Sequence, residues 1–196
     1  MEGVEQLLRQ LHWQKTDEEL QLAKEKLKEL PEHQMNLLVL PLLDKALWDN
    51  AADLLAEMGY PRIEPILYEV LTWLQDINWP GSIRISELLV SVGEPLIPYI
   101  KRALAESDSD WNYWIITYVI CKWETELIQK MTQDLLELAE GFDYCLVHIE
   151  ALKLLVREGL IEESKIIQIV ESKKLDDRNQ DSLEELIEIE QMLNCK

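Results

Sequence analysis

Cys145 and His148 stand three residues apart in the segment GFDYCLVH, and Cys121 lies upstream of them. Thiolate and imidazole are the ligand types that zinc prefers, but a tetrahedral site needs four ligands at close spacing and this trio supplies three scattered ones. The pair therefore reads as two half-buried helix residues, and no metal is expected. Carboxylate pairs such as Glu162 with Glu163, or Glu184 with Glu185, have the residue type for acid and base work. In a chain carrying 38 acidic residues they read instead as solvated helix faces. The signatures of phosphate-loop, α/β-hydrolase and zincin chemistry (Gly-x-x-x-x-Gly-Lys, Gly-x-Ser-x-Gly and His-Glu-x-x-His) do not occur. The residues thus predict a protein without a catalytic group, a metal or a cofactor.

Charge narrows the partners. The 196 residues carry a formal charge of −19, which repels the phosphates of nucleic acids and disfavours anionic membrane surfaces. No apolar run approaches the ~20 residues of a membrane span, and the start MEGVEQLLRQLHWQK lacks the basic, apolar and small-residue parts of a secretory leader. Three cysteines, Cys121, Cys145 and Cys195, are odd in number and scattered, which predicts reduced thiols and a cytoplasmic protein.

The elements that position these residues are helices. Apolar residues recur at three and four positions, as in Leu54, Leu55 and Met58 or Leu88, Leu89 and Val92. Gly59, Gly93, Gly141 and Gly159 each follow such a run, where a left-handed residue closes a helix. Prolines 41, 65 and 98 stand where a following helix would begin. IIQIV at 166–170 is the only rival strand, and its flanks are helical in pattern. Thr16 and Glu19 have capping-box spacing at the head of TDEELQLAKEKLKEL, VEQLLRQLHW before it predicts a shorter helix, and His12 reads as a surface residue. Near the other end, DDRNQDSLEELIEIEQML predicts a docked capping helix, with Asp181 or Ser182 as N-cap and with Leu183, Leu186, Ile187 and Ile189 seeking something to pack on.

A repeat emerges when the glycines are aligned: DLLAEMG at 53–59 matches ELLVSVG at 87–93 with an offset of 34, and EPILYEVL at 64–71 matches IPYIKRAL at 97–104 with an offset of 33. Looser copies begin at DWNYWIITYVICKW and at IEALKLLVREG. The expected fold is all-α, a short α-solenoid of about four stacked antiparallel helix pairs. It is expected as one domain over 1–196: an N-terminal helical extension at 1–35, the repeats at 36–160, and acidic capping helices at 161–196.

The helix-glycine-proline-helix order resembles HEAT-like repeats. LQDINWP at 74–80, IPYI at 97–100, and Trp111, Tyr113 and Trp114 follow one another in the order of a bacterial family catalogued only as a domain of unknown function. The chain is similar to that family over about residues 63–120 and more weakly over 135–160. The resemblance implies a fold and no activity.

The function expected is that of a non-catalytic protein-binding scaffold, with Trp111, Tyr113 and Trp114 as candidate partner-binding residues in a concave groove. The partner expected is another protein, of basic character if the acidic stretch 124–196, at net −10, takes part. An alternative is an immunity or inhibitor protein for a basic nuclease toxin. A third reading, from another class, is a HEAT-like DNA glycosylase, which is similar in architecture only. Its groove needs a basic lining, and segment 36–123 is at net −6. Trp79 precedes Pro80, which restricts it to extended geometry, and it is expected as a buried wedge between helices.

Overall fold

Both halves of the N-terminal capping box form. The Glu19 N–H donates to Thr16 Oγ1 at 3.3 Å, and the Thr16 N–H donates to Glu19 Oε2 at 3.1 Å. They start the helix α2 (Asp17–Lys28), which follows α1 (Glu2–Leu8) and a 3-10 turn at Arg9–Leu11. These elements come from a computed structural model that describes residues 2–106 and 108–194, so Cys195 lies outside the described residues. Among the described residues there is no β-strand, and twelve α-helices are joined by 3-10 turns, so the fold is all-α. Contacts cluster into two units, residues 1–100 and 101–196.

In the first unit, α2 buries Ala23 and Leu27 and packs against α3 (Trp48–Met58). The buried Lys24 ammonium meets Glu57 Oε1 at 2.7 Å, and Lys28 meets Oε2 of the same carboxylate at 3.0 Å. Burial pushes the Glu57 carboxyl up, yet the two ammoniums outweigh it and hold the group below the usual carboxylate range. Arg62 closes the far end of α2, its Nη2 donating to the carbonyl of Lys28 at 3.2 Å and to that of Leu30. The Lys28 carbonyl is one that a helix C-terminus leaves without an internal donor, and that of Leu30 lies just beyond the helix.

The glycine repeat is real, with a different register. α3 ends at Gly59, and α5 (Ser82–Val92) ends at Gly93. The 3-10 turns Glu64–Ile66 and Glu94–Leu96 then hold Pro65 and Pro95 in their first turns and lead into α4 (Leu67–Leu71) and α6 (Ile97–Leu104). Glu-Pro-Ile therefore corresponds to Glu-Pro-Leu, not to IPYI, because residues 60–63 lengthen the first connection and have no counterpart after Gly93. Pro41 precedes a turn rather than a helix.

The connection between α4 and α5 carries Trp73 and Trp79 into one cluster with Trp48 of α3. Trp73 is wholly buried, and its indole N–H donates to the Pro80 carbonyl at 2.8 Å. The Ser82 hydroxyl lies within hydrogen-bond distance of the carbonyls of Trp73 (3.2 Å) and Asp76 (3.0 Å). Trp48 meets Trp73 and Trp79 edge to face, with centroids 6.3 and 5.5 Å apart. Trp79 is half-buried, and the Lys45 ammonium lies 5.7 Å from its ring. The fully buried wedge is thus Trp73, whose N–H finds an acceptor inside the loop. Gly81, with φ +85°, lets the chain pass close over α3 at this point.

The second unit contains α7 (Ser109–Tyr118), α8 (Thr125–Ile128), α9 (Thr132–Glu140), α10 (Val147–Glu158), α11 (Glu163–Lys174) and α12 (Leu183–Asn194). α10 is its axis, buried through Ile149, Leu152, Leu155 and Val156 and packed against α7, α9 and α12. The rival strand at 166–170 lies inside α11. α12 docks through Leu186 and Ile189 and leaves Ile187 exposed. Asp176 caps the 3-10 turn that precedes it, where Asp181 or Ser182 was expected as the helix cap. Gly59, Gly93 and Gly159 take positive φ, as their positions predict. Gly141 does not: at φ −74° it leaves α9 extended, and its carbonyl accepts from Lys173 Nζ at 2.6 Å.

Candidate functional site

The three aromatic candidates on α7 part company. Trp111 is 1% exposed and belongs to the core, which corrects its expected place on a partner-binding surface. One helical face cannot both close the unit's interior and present the same ring to water. Tyr113 and Trp114 are half-buried and meet edge to face at 4.9 Å, and Trp114 meets Tyr118 at 5.6 Å. Burial raises the Tyr113 phenol above its ordinary value. These rings form a small packed row with limited exposed area.

The thiols and the imidazole do not converge. Cys121 Sγ lies 2.8 Å from the Thr117 carbonyl, Cys145 Sγ lies 3.3 Å from Asp110 Oδ1, and His148 Nδ1 lies 2.8 Å from Asp143 Oδ2. Among the described residues no three His, Cys, Asp or Glu side chains are grouped as metal ligands. Asp143 is the organiser here. Its Oδ1 accepts the N–H groups of Cys145 (2.8 Å) and Val147 (2.9 Å), and its Oδ2 accepts the His148 N–H (2.9 Å), so it caps the start of α10. Burial pushes the Asp143 carboxyl up, but the His148 hydrogen bond and the capping N–H groups overcome it and hold the group at about 2. His148 is 1% exposed, and its Nε2 is buried without a hydrogen-bond partner, out of reach of a substrate in this conformation. Lys173 nearby is lowered to about 8 by its burial, against the pull of Asp143 and Asp176. The arrangement locks the loop between α9 and α10.

Among the described residues the most exposed large apolar side chain, Leu42, belongs to the first unit. The run LLVLPLL at 37–43 connects the N-terminal helices to α3 and bounds a cavity of about 500 Å³. Its walls include Leu8 of α1 together with Leu37, Leu40, Leu42 and Leu43. Leu42 is 100% exposed, Leu37 38% and Leu43 37%. The display is held in place rather than loose. Leu40 has φ +41°, a left-handed conformation that costs a leucine about 1–2 kcal/mol. The next carbonyl, that of Pro41, accepts the indole N–H of buried Trp48 at 3.0 Å. A strained residue and a buried donor thus fix the chain where its leucine points into water. The polar lining is Glu5, Asn36, Glu69 and Thr72. Both carboxylates are exposed, and Glu5 pairs with Arg9 at 2.8 Å.

Sequence reasoning missed both Asp143 and this surface. A carboxylate four residues ahead of an apolar helix start was the available signal for Asp143. For the surface, it was six apolar residues broken only by one proline over 37–43, a run no short segment can bury on every side.

Fold and site define a protein that is helical throughout its described residues and holds an exposed leucine surface beside two carboxylates. Within that class the family is clear: a family model matches residues 42–143, just over half of the chain, and the chain belongs to that family, a domain of unknown function (DUF5071). No curated protein and no solved structure matches it. Among the described residues no helix is long and apolar enough to cross a membrane.

Proposed function

We propose that this chain is a non-catalytic protein-binding module of the cytoplasm, built from HEAT-like helix pairs. The observation that carries the reading is Leu42, held fully in water by the Leu40 backbone and the Trp48 hydrogen bond beside a cavity of about 500 Å³. A single exposed leucine is ordinary, but Leu37, Leu42 and Leu43 are exposed together around one cavity, and contiguous apolar surface of that kind marks interaction sites. The closed environment of His148 and the net charge of −19 support binding of a protein over hydrolysis or nucleic-acid processing. The same charge favours a basic partner, which keeps an inhibitor of a cationic protein within the reading. Affinity capture on the immobilised chain, followed by mass spectrometry and reconstitution with the purified partner, tests it. A protein retained above an equally acidic control is expected. Recovery of nucleic acid alone, or of nothing above the control, refutes the module.

A further inference from the structure

We propose that the cavity beside Leu42 receives the apolar face of a cationic amphipathic helix of another protein, an inference that rests on the protein-binding reading and names the partner's chemistry. The apolar requirement comes from Leu37, Leu42 and Leu43, which line the cavity and are exposed. The cationic requirement comes from Glu69, from Glu5, whose charge Arg9 at 2.8 Å partly offsets, and from a lining that holds no lysine or arginine. A second copy of this chain brings another −19, and a fatty acid or anionic lipid brings its own negative charge, so both meet repulsion there. The helical requirement comes from the fold. Among the described residues no strand exists, so an extended peptide finds no sheet edge for its backbone N–H and C=O groups. A helix satisfies its own backbone and presents leucine-sized groups at i, i+3, i+4 and i+7 to a groove.

The test uses the full chain and a phage-displayed library of peptides longer than the ~12–15 residues at which isolated helices become stable. Leucine is fixed at i, i+3, i+4 and i+7, and the other positions are random. Selection is carried out at about 0.15 M salt, where long-range surface charge is already screened. Selected peptides are expected to be rich in Lys and Arg. Their Kd, read by fluorescence anisotropy, is expected to weaken by about tenfold or more in a Leu37→Ser/Leu42→Ser chain, the loss of a hot spot. In a Glu5→Gln/Glu69→Gln chain a smaller loss is expected, one that shrinks as salt is raised. The melting curve of the Glu5→Gln/Glu69→Gln chain is expected to overlay the parent, and the Leu37→Ser/Leu42→Ser chain, in which Leu37 is 38% exposed, is expected to melt slightly lower while remaining folded at the assay temperature. No enrichment, enrichment without basic residues, or equal binding to the leucine variant each overturns the proposal. A partner captured equally by the parent and by the leucine variant removes this groove but keeps the module. Capture of no protein removes the module itself.

Discussion

Replacing Gly81 by alanine tests the packing of the loop that precedes α5. A Cβ at this position would stand 2.5 Å from Ala52 Cβ, 3.1 Å from the Trp48 carbonyl and 3.5 Å from Trp73 Cζ2. The first two atoms sit on α3 and cannot swing away, so the loop or the helix must shift. Forcing a methyl into such a contact costs about 1–3 kcal/mol, and the left-handed φ of +85° adds about 1–2 kcal/mol for any residue with a Cβ. The variant regains about 0.4–1 kcal/mol from a stiffer unfolded chain. Gly81→Ala should therefore be less stable than the parent by about 1–4 kcal/mol, read as the shift of the urea midpoint in far-UV circular dichroism at unchanged slope. Equal midpoints would refute the close approach of the loop to α3, and with it the placement of Trp73.

Trp73→Ala should cost about 3–5 kcal/mol as a core aromatic, and half-buried Trp79→Ala about 1–3 kcal/mol; the reverse order in chemical denaturation would show that Trp79 is the wedge. Asp143, held at about 2 in the fold against ~3.9 when unfolded, contributes about 2–3 kcal/mol that is present above pH ~4 and lost as pH falls towards 2. Asp143→Asn should flatten the urea midpoint between pH 6 and pH 3, and an unchanged acid slope would count against the cap. Burial, and then the Asp110 carboxylate, push the Cys145 thiol up to about 11, so iodoacetamide at pH 8 should label it more slowly than in the urea-unfolded chain. Asp110→Asn should speed that labelling, followed by peptide mass mapping, and identical rates would remove Asp110 from the explanation.

Periodic features were legible in advance because they depend on neighbours three and four positions away. The helices, the Thr16 and Glu19 box and the glycine ends at 59, 93 and 159 are of this kind. Features that depend on which atom meets which across a loop were not legible. Trp73 and Trp79 are equally apolar on paper, and only the Pro80 carbonyl 2.8 Å from the Trp73 indole decides which one fills the core. Trp111 and Trp114 share a helical face in projection, but the interior closes over the first and reaches only partway along the second. The 33-residue offset failed because a four-residue lengthening at 60–63 looks like a shift of one helical turn. The leucine surface was hidden twice, since LLVLPLL reads as core and a leucine in left-handed geometry at position 40 has no signature in sequence.

The Arg62 contact with the end of α2 bears on what is inherited together and what must fold together. Arg62 lies within the matched segment 42–143, whereas the carbonyls of Lys28 and Leu30 that it caps lie before it. At the opposite border the match ends on Asp143, whose carboxylate caps a helix that lies wholly beyond. A chain trimmed to the matched segment would keep both donors of order and lose both recipients, leaving a guanidinium and a carboxylate facing solvent where each had organised a neighbour. Evolutionary kinship and the network of contacts thus have different edges in this protein, since two side chains of the matched segment order backbone that lies outside it.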